Sequence, residues 1–383
     1  MKILIIHNNY TIRGGEESVV IFQKNIFEKL GHEVLIYSKD NKVKSTFFNK
    51  LKRLFLGYFN PFSYNDIQKI TKDFKPDFAI IHNLYHSITP SVLLPLKKAN
   101  IPSFMILHNY RLLCPVGTLF RNGAICKDCL DSPHREVMCL KNRCGKTLAN
   151  SFFFASRSKL IRKSKLVTKN ITTFVALSPF QKNVLVKYGI DSSKIEVIGN
   201  AIDIDEKTIV DFPKEDYIGY IGRMTPEKGI DLFIEIALSM PEQKFKIAGI
   251  NSLDNNIKLP KNVEMCGYLT KENLAKFYSS AKSIMMTSKC YEGFPMVILE
   301  AFKYKTPVIV PHLGALADIV TDNFDGYVYE PTDIKNLISR IKKLTFEQSK
   351  SMGENGFLKA VNNYNAVGYA NKIIKLAIKN KQR

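Results

Sequence analysis

Two glutamates, Glu292 and Glu300, stand eight residues apart, with Gly293-Phe294-Pro295 directly after the first. An ionised carboxylate only accepts hydrogen bonds, so a glutamate suits a vicinal diol, which offers two hydroxyl donors. Sugars and riboses carry such diols. Proline fits the first position of a helix, which puts Glu292 in the entry loop and Glu300 in the second turn. The stretch Gly293, Phe294, Pro295, Met296 and Val297 then presents the free backbone N–H groups of a helix N-terminus, whose partial positive charge attracts phosphate. The plainer alternative is a capped helix with two surface glutamates.

A second group of residues supplies the opposite charge. Arg223 and Lys228 lie five apart in Gly222-Arg-Met-Thr-Pro-Glu-Lys228-Gly229, after an apolar run that reads as a strand. Two cations in a strand-end loop can meet one diphosphate, the arginine as a fork and the lysine as a point charge. If the bond to that diphosphate breaks, charge grows on the leaving oxygen and fixed cations favour the transition state. Gly14 and Gly15 follow the first strand and let backbone approach a ligand closely, or simply make a tight turn. They lack the full Gly-x-Gly-x-x-Gly pattern of dinucleotide sites. His108 follows the apolar run Phe104–Leu107, so it should emerge at a strand's carboxyl end and hydrogen-bond a sugar hydroxyl or assist proton traffic.

The elements that must position these residues repeat one grammar: short apolar runs alternate with amphipathic stretches of helix length, the pattern of parallel sheets with crossover helices. In the first half the strands are read at Lys2–His7, Glu33–Tyr37, Phe78–His82, Ser103–Leu107, Thr173–Leu177 and Ile195–Ile198. A helix begins at Ser178-Pro179-Phe-Gln181, where serine caps, proline opens and glutamine completes a capping box. The second half restarts with strands at Tyr217–Ile221, Lys244–Ala248, Val263–Cys266, Ser283–Met286 and Pro307–Val310. Helices fall between them at Asp231–Ser239, Lys271–Ser280 and Pro295–Tyr304. The expected organisation is a first domain over 1–199 with a cysteine-rich insertion at 114–144, a linker at 200–216, a second domain over 217–363 and a terminal helix over 364–383. At 383 residues the length suits two cores. Two doubly wound α/β domains would face one another across a cleft at the carboxyl ends of both sheets.

These motifs together resemble the family 4 retaining glycosyltransferases, which have the two-Rossmann GT-B fold. The resemblance covers most of the chain and is strongest from Ile218 to Pro331. It implies that Glu292 contacts the transferred sugar and Glu300 the ribose, and that Arg223 and Lys228 hold the pyrophosphate. By the same resemblance His108 is the first-domain histidine, and Gly267 in Met-Cys-Gly-Tyr-Leu lines the base pocket. Glu292, Arg223, Lys228 and His108 are therefore the catalytic candidates. The terminal helix is expected to pack back on the first domain. No cofactor or metal is required; a nucleotide-diphosphate sugar serves as donor substrate. The stretch Val197-Ile-Gly-Asn200-Ala201 departs from the family, which usually has proline before that asparagine and glycine after it. Implied partners are a glycan or lipid-linked acceptor in cell-surface polysaccharide synthesis. An epimerase of the same fold is the runner-up.

Composition constrains the partners. The chain carries 56 basic and 35 acidic residues, a net +21, so its surface should attract anions. An anionic membrane face is favoured; a nucleic-acid-binding protein is the competing class, but it leaves the glutamate segment without a role, and no nucleic acid partner is expected. Basic stretches with aromatic anchors occur at Phe47–Phe59 and from Phe152 to Lys165 and suit an interfacial helix. No apolar run reaches the ~18 to 20 residues of a membrane-spanning helix. The N-terminus reads as a buried strand rather than a signal peptide, so the expected location is cytoplasmic, with peripheral contact at the inner membrane face. Of seven cysteines, five cluster at Cys114, Cys126, Cys129, Cys139 and Cys144. Their spacing admits a structural zinc or packed thiols.

Overall fold

The computed structural model describes residues 1–10, 14–40, 57–205, 212–250 and 259–381. In chain order the strands are β1 (Lys2–Asn9), β2 (Glu33–Asp40), β3 (Phe78–Ile81), β4 (Ser103–Ile106), β5 (Phe120–Arg121), β6 (Ala124–Ile125), β7 (Thr173–Ala176), β8 (Ile195–Val197), β9 (Tyr217–Ile221), β10 (Lys244–Ala248), β11 (Val263–Gly267), β12 (Ser283–Met285), β13 (Val308–Pro311) and β14 (Gly326–Tyr329). They form two six-stranded sheets, ordered β2-β1-β3-β4-β7-β8 and β11-β10-β9-β12-β13-β14, and a β5-β6 hairpin. Every pairing within the two large sheets is parallel.

Parallel sheets are covered on both faces, so their strands are apolar throughout rather than alternating. Ile3, Leu4, Ile5 and Ile6 of β1 are all fully buried, as are Phe78 to Ile81 of β3. Each isoleucine, leucine or phenylalanine among them contributes about 1.5–3 kcal/mol on burial, which is why these runs announce themselves in the sequence.

The chain divides into two units. One comprises 1–119, 126–200 and 367–383; the other comprises 120–125 and 201–366. Of the expected linker 200–216, Asn200 groups with the first unit and the rest with the second, where the N–H of Ile202 bonds to the carbonyl of Tyr364. The hairpin at 120–125, inside the expected insertion, also groups with the second unit.

The terminal helix, Ala366–Lys381, packs back on the first unit rather than forming a solvated tail. Gln23 Nε2 donates to the Tyr369 hydroxyl at 2.6 Å, and Phe22 packs against the same ring. Its basic end is paired: Lys379 meets Glu196 at 3.1 Å and Lys381 meets Asp77.

Helix Pro179–Lys187 starts with the expected serine cap and proline, but without the expected capping box, because Gln181 turns to the residue before the cap. The Ser178 side chain accepts from the Gln181 N–H, and Gln181 Oε1 accepts from the Leu177 N–H. The other end of that amide reaches the carbonyl of Leu107 at 2.8 Å, fixing the backbone beside His108.

Most elements differ from the reading by one to three residues at a boundary, and β14 was not among the strands read; at the site the difference falls on Pro295. Pro295 does not open its helix; it is the cap residue, with an extended ψ of 125°, and the helix runs Met296–Lys303. Proline fixes φ alone, so it fits either position.

Within the expected insertion, buried Cys129 and Cys139 pack with Ala155, and Cys144 lies against them. All seven cysteines are free thiols. Burial pushes the Cys129 thiol up to about 12, and a hydrogen bond with Cys144 together with burial raises Cys139. Neutral thiols of this kind pack as small apolar groups. Among the described residues no group of three or more His, Cys, Asp or Glu is placed to hold a metal.

Candidate functional site

The second unit gathers the donor candidates at the carboxyl ends of its strands. β9 leads into the loop carrying Arg223 and Lys228, and the Tyr220 hydroxyl donates to the Arg223 carbonyl at 2.9 Å. Gly229 closes this loop at a φ of 68°, and a Cβ there would lie 1.7 Å from the Thr287 carbonyl oxygen. Only glycine permits that approach. Thr287 Oγ1 in turn donates to the Gly229 carbonyl at 2.7 Å, pinning the cation loop to the segment after β12.

That contact places Lys228 on Glu292. Lys228 Nζ lies 2.7 and 2.9 Å from the two carboxylate oxygens, and Ser288 Oγ donates to Oε1 at 2.6 Å. Burial opposes ionisation of Glu292, but the lysine charge and these hydrogen bonds outweigh it, so its carboxyl sits below the usual range. For Lys228 burial again opposes the charged form, and Glu292 overcomes it and raises the ammonium. Both are ionised at neutral pH.

Glu300 is treated differently: burial raises its carboxyl despite a 2.5 Å hydrogen bond from the Tyr278 hydroxyl. It lies one helical turn inside Met296–Lys303, away from the lysine. Arg223 remains half-exposed, 3.6 Å from Glu227.

Of the backbone candidates, Gly267 ends β11 at a φ of 67°, and its carbonyl accepts from the Gly249 N–H at 2.8 Å. Gly293, Met296 and Val297 are half-buried around the cap residue Pro295. Phe294 is buried edge-on against Tyr364 at 5.3 Å, so its ring serves packing.

The first unit holds His108, Gly14 and Gly15. Gly14 caps helix Gly15–Lys29, and its N–H donates to Glu17 Oε2 at 2.9 Å while the Tyr10 N–H donates to Oε1. Burial disfavours the Glu17 charge, but the His7 ring and these amides overcome it and hold the carboxyl at about 2. A Cβ at Gly15 would meet no atom within 4 Å.

His108 heads a chain of polar groups. Its Nε2 lies 2.7 Å from His82 Nδ1, His82 Nε2 lies 2.9 Å from Gln23 Oε1, and Gln23 Nε2 donates to Tyr369. Burial lowers both imidazoles, His82 strongly, so both are neutral at pH 7. The directions then follow. A carbonyl oxygen on Gln23 requires an N–H at His82 Nε2, which leaves His82 Nδ1 as acceptor and His108 Nε2 as donor. The lone pair of His108 is therefore at Nδ1. A small cavity of about 40 Å³, lined by His108, His82, Glu16 and Arg111, opens beside this pair.

Sequence reading missed Ser288, Tyr278, His82 and Gln23. His82 carried a signal: it follows β3 as His108 follows β4, and these neighbours run parallel. Gln23 and Tyr369 carried none, being 346 residues apart.

Among the described residues no helix is long and apolar enough to cross a membrane. Most of the basic stretch at Phe47–Phe59 lies outside the described residues. In the other, helix Leu148–Ser164 exposes Phe152 and Leu160 but buries Arg157 to 4% exposure.

Two parallel six-stranded Rossmann-like sheets, with a cation loop and a carboxylate segment at strand ends of the second, define a GT-B glycosyltransferase. The Glycosyltransferase Family 4 model matches residues 13–206 and the Glycosyl transferases group 1 model residues 202–359. The chain belongs to glycosyltransferase family 4. A protein of the cps region of Klebsiella pneumoniae is 26% identical over 83% of this chain and 87% of its own length. The UDP-Gal:α-D-GlcNAc-diphosphoundecaprenol α-1,3-galactosyltransferase of Escherichia coli is 27% identical over 59% of this chain and 67% of its own. Among solved structures, the sucrose-phosphate synthase of Thermosynechococcus elongatus superposes with a TM-score of 0.72, at 16% identity, covering 99% of this chain and 98% of the other.

Proposed function

We propose that this glycosyltransferase moves a sugar, with retention at the anomeric carbon and without a catalytic metal, from a nucleotide-diphosphate sugar to a lipid-linked glycan at an anionic membrane face. The observation that carries the reading is the Lys228–Glu292–Ser288 cluster beside the N-terminus of helix Met296–Lys303. Glu292 takes hydroxyls of the transferred sugar, Glu300 the ribose diol, and Arg223 and Lys228 the diphosphate. Gly14, Gly15 and Gly267 bring backbone to the donor, with Gly267 beside the base, and Gly293, Met296 and Val297 supply amides.

Glu292 is tied to Lys228 and Ser288, so it is not poised as a free nucleophile, which favours a front-face reaction through an oxocarbenium-like state. The bond from the anomeric carbon to the phosphate oxygen breaks as the acceptor oxygen bonds to that carbon. The acceptor proton passes to the departing phosphate oxygen, and the nucleoside diphosphate leaves. The two cations meet the growing negative charge, a role that in other systems falls to a metal. His108 Nδ1 accepts a sugar hydroxyl. The named Escherichia coli relative acts on a diphosphoundecaprenol-linked sugar, which supports a lipid-linked acceptor. The net +21 supports the membrane face.

A thermal-shift screen of UDP-, GDP- and ADP-sugars tests the donor reading, because stabilisation grows with ligand concentration over its dissociation constant. A true donor raises the melting temperature; no shift with any of them sinks the reading. With the donor in hand, the anomeric proton coupling of the product reports retention, and activity in excess EDTA reports metal independence.

A further inference from the structure

A second cavity lies in the first unit, and none of Arg223, Lys228, Glu292 and Glu300 lines it. It encloses about 850 Å³, a volume suited to a ligand larger than a monosaccharide. Its wall carries six cations, Arg111, Arg135, Arg162, Lys165, Lys169 and Lys194. Among the described residues, Asp131 and Asp191 are the acidic groups in that wall.

Several of these cations are committed. Arg162 forks onto Glu136 with two 2.9 Å hydrogen bonds, Arg135 donates to the Tyr188 carbonyl, and Lys194 donates to the Thr168 carbonyl. Arg111 is not. Its Nε is buried without a hydrogen-bond partner, and its guanidinium lies 5.3 Å from the centre of the Tyr85 ring. Arg157, almost fully buried, sits 4.3 Å from the same ring. It also contacts Phe153, Phe154 and His86 Nδ1. Neither arginine forms an ion pair among the described residues.

The buried Arg111 Nε and the buried Arg157 guanidinium lack an ion-pair partner among those residues, a costly arrangement that a bound anion would offset. Arg111 and Tyr85 also line the small cavity beside His108, so the two spaces share a wall. An anion held by Arg111 would therefore border the cavity that His108 lines.

We infer that this cavity is the anion subsite for the acceptor: it holds the phosphate or diphosphate that joins an acceptor sugar to its lipid, with Arg111 on the phosphate and the sugar hydroxyl turned towards His108. The inference rests on the reading of the chain as a transferase for lipid-linked glycans. A guanidinium fork recognises phosphate oxygens in pairs, and Lys165 and Lys169 at the rim add steering charge.

The test uses the full chain and inorganic pyrophosphate as probe. Because pyrophosphate also fits Arg223 and Lys228, calorimetric titrations are made in an R223A/K228A background. Saturable binding is expected, weakened about tenfold or more by Arg111→Met and restored in part by Arg111→Lys, since a lost charge-assisted contact is worth about 1.5–3 kcal/mol. Lys165→Glu with Lys169→Glu weakens it less, and more at low salt.

Circular dichroism confirms that each variant is folded. Pyrophosphate binding unchanged by both sets of variants overturns the inference. So does loss of binding to phosphatidylglycerol vesicles in the lysine variant with pyrophosphate affinity unaltered, which assigns the cations to the membrane surface. Donor-induced thermal shifts in the Arg111→Met protein keep the two claims apart. If donors still raise the melting temperature while pyrophosphate finds no site, the subsite fails and the transferase reading stands.

Discussion

The donor segment of the second unit and the histidine chain of the first solve opposite electrostatic problems. Around Glu292 each charge meets its complement: Lys228 on both carboxylate oxygens, Ser288 on one. Along the chain that ends at His108 every member is neutral, and order comes from hydrogen-bond direction, passed from Tyr369 through Gln23 and His82. Charge stabilisation comes from two neighbouring strand-end loops, distant in sequence and locked by Gly229 against Thr287. Proton placement was assembled across the whole first unit.

The largest break in this comparison should come from separating the charge pair. Glu292→Gln or Lys228→Ala should cut the turnover number about 10²–10³-fold, the usual cost of removing one electrostatic contact to the reacting centre. Each leaves a largely buried partner uncompensated, so a fall of about 2–3 kcal/mol in denaturant stability should accompany it. Steady-state kinetics and urea unfolding check both.

The pH signs follow from the shifts. Glu292, lowered in the fold, contributes stability above its unfolded value, and this is lost as pH falls through its folded value. Lys228, raised in the fold, contributes below its unfolded value and loses that contribution as pH rises through its folded one.

Next in size is the imidazole itself. His108→Phe should lower turnover about 10²-fold with little change in donor affinity. Because burial depresses His82 and His108, the unfolded chain binds more protons as pH drops below about 6.5. The melting temperature should then decline on acidification, and His82→Gln should flatten that decline.

Gly229→Ala sharpens the local half of the comparison. A Cβ 1.7 Å from a carbonyl oxygen, at a positive φ, should cost about 1–3 kcal/mol and spread Lys228 from Glu292. Thermal unfolding reads the first effect, and a weakened donor-induced shift reads the second.

The smallest effect tests the remote half. Gln23→Leu removes the carbonyl that sets the His82 tautomer, and should reduce turnover about tenfold at unchanged donor KM, with Tyr369→Phe weaker still. Equal losses in KM and turnover would mean that Gln23 merely supports the fold.

Legibility tracked the range of the interactions. The parallel sheets could be read because buried strands are continuous apolar runs, as at Ile3–Ile6 and Phe78–Ile81. Glu292, Glu300, Arg223 and Lys228 stood out because each pair is spaced within one loop-and-helix entry. Arg157 lies in the stretch from Phe152 to Lys165, read as suiting an interfacial helix, yet aromatic rings from Tyr85, Phe153 and Phe154 enclose it.

By itself, then, the sequence determined the fold class and family, and which residues of the second unit carry charge. Hydrophobic runs and short-range spacing obey local rules, and the chain writes them in order. The tertiary structure decided that Lys228 grips Glu292, that Tyr278 reaches Glu300, and that His108 is oriented from the terminal helix. Those contacts join residues far apart in the chain, and only packing of the sheets and helices fixes which of many possible polar partners meet.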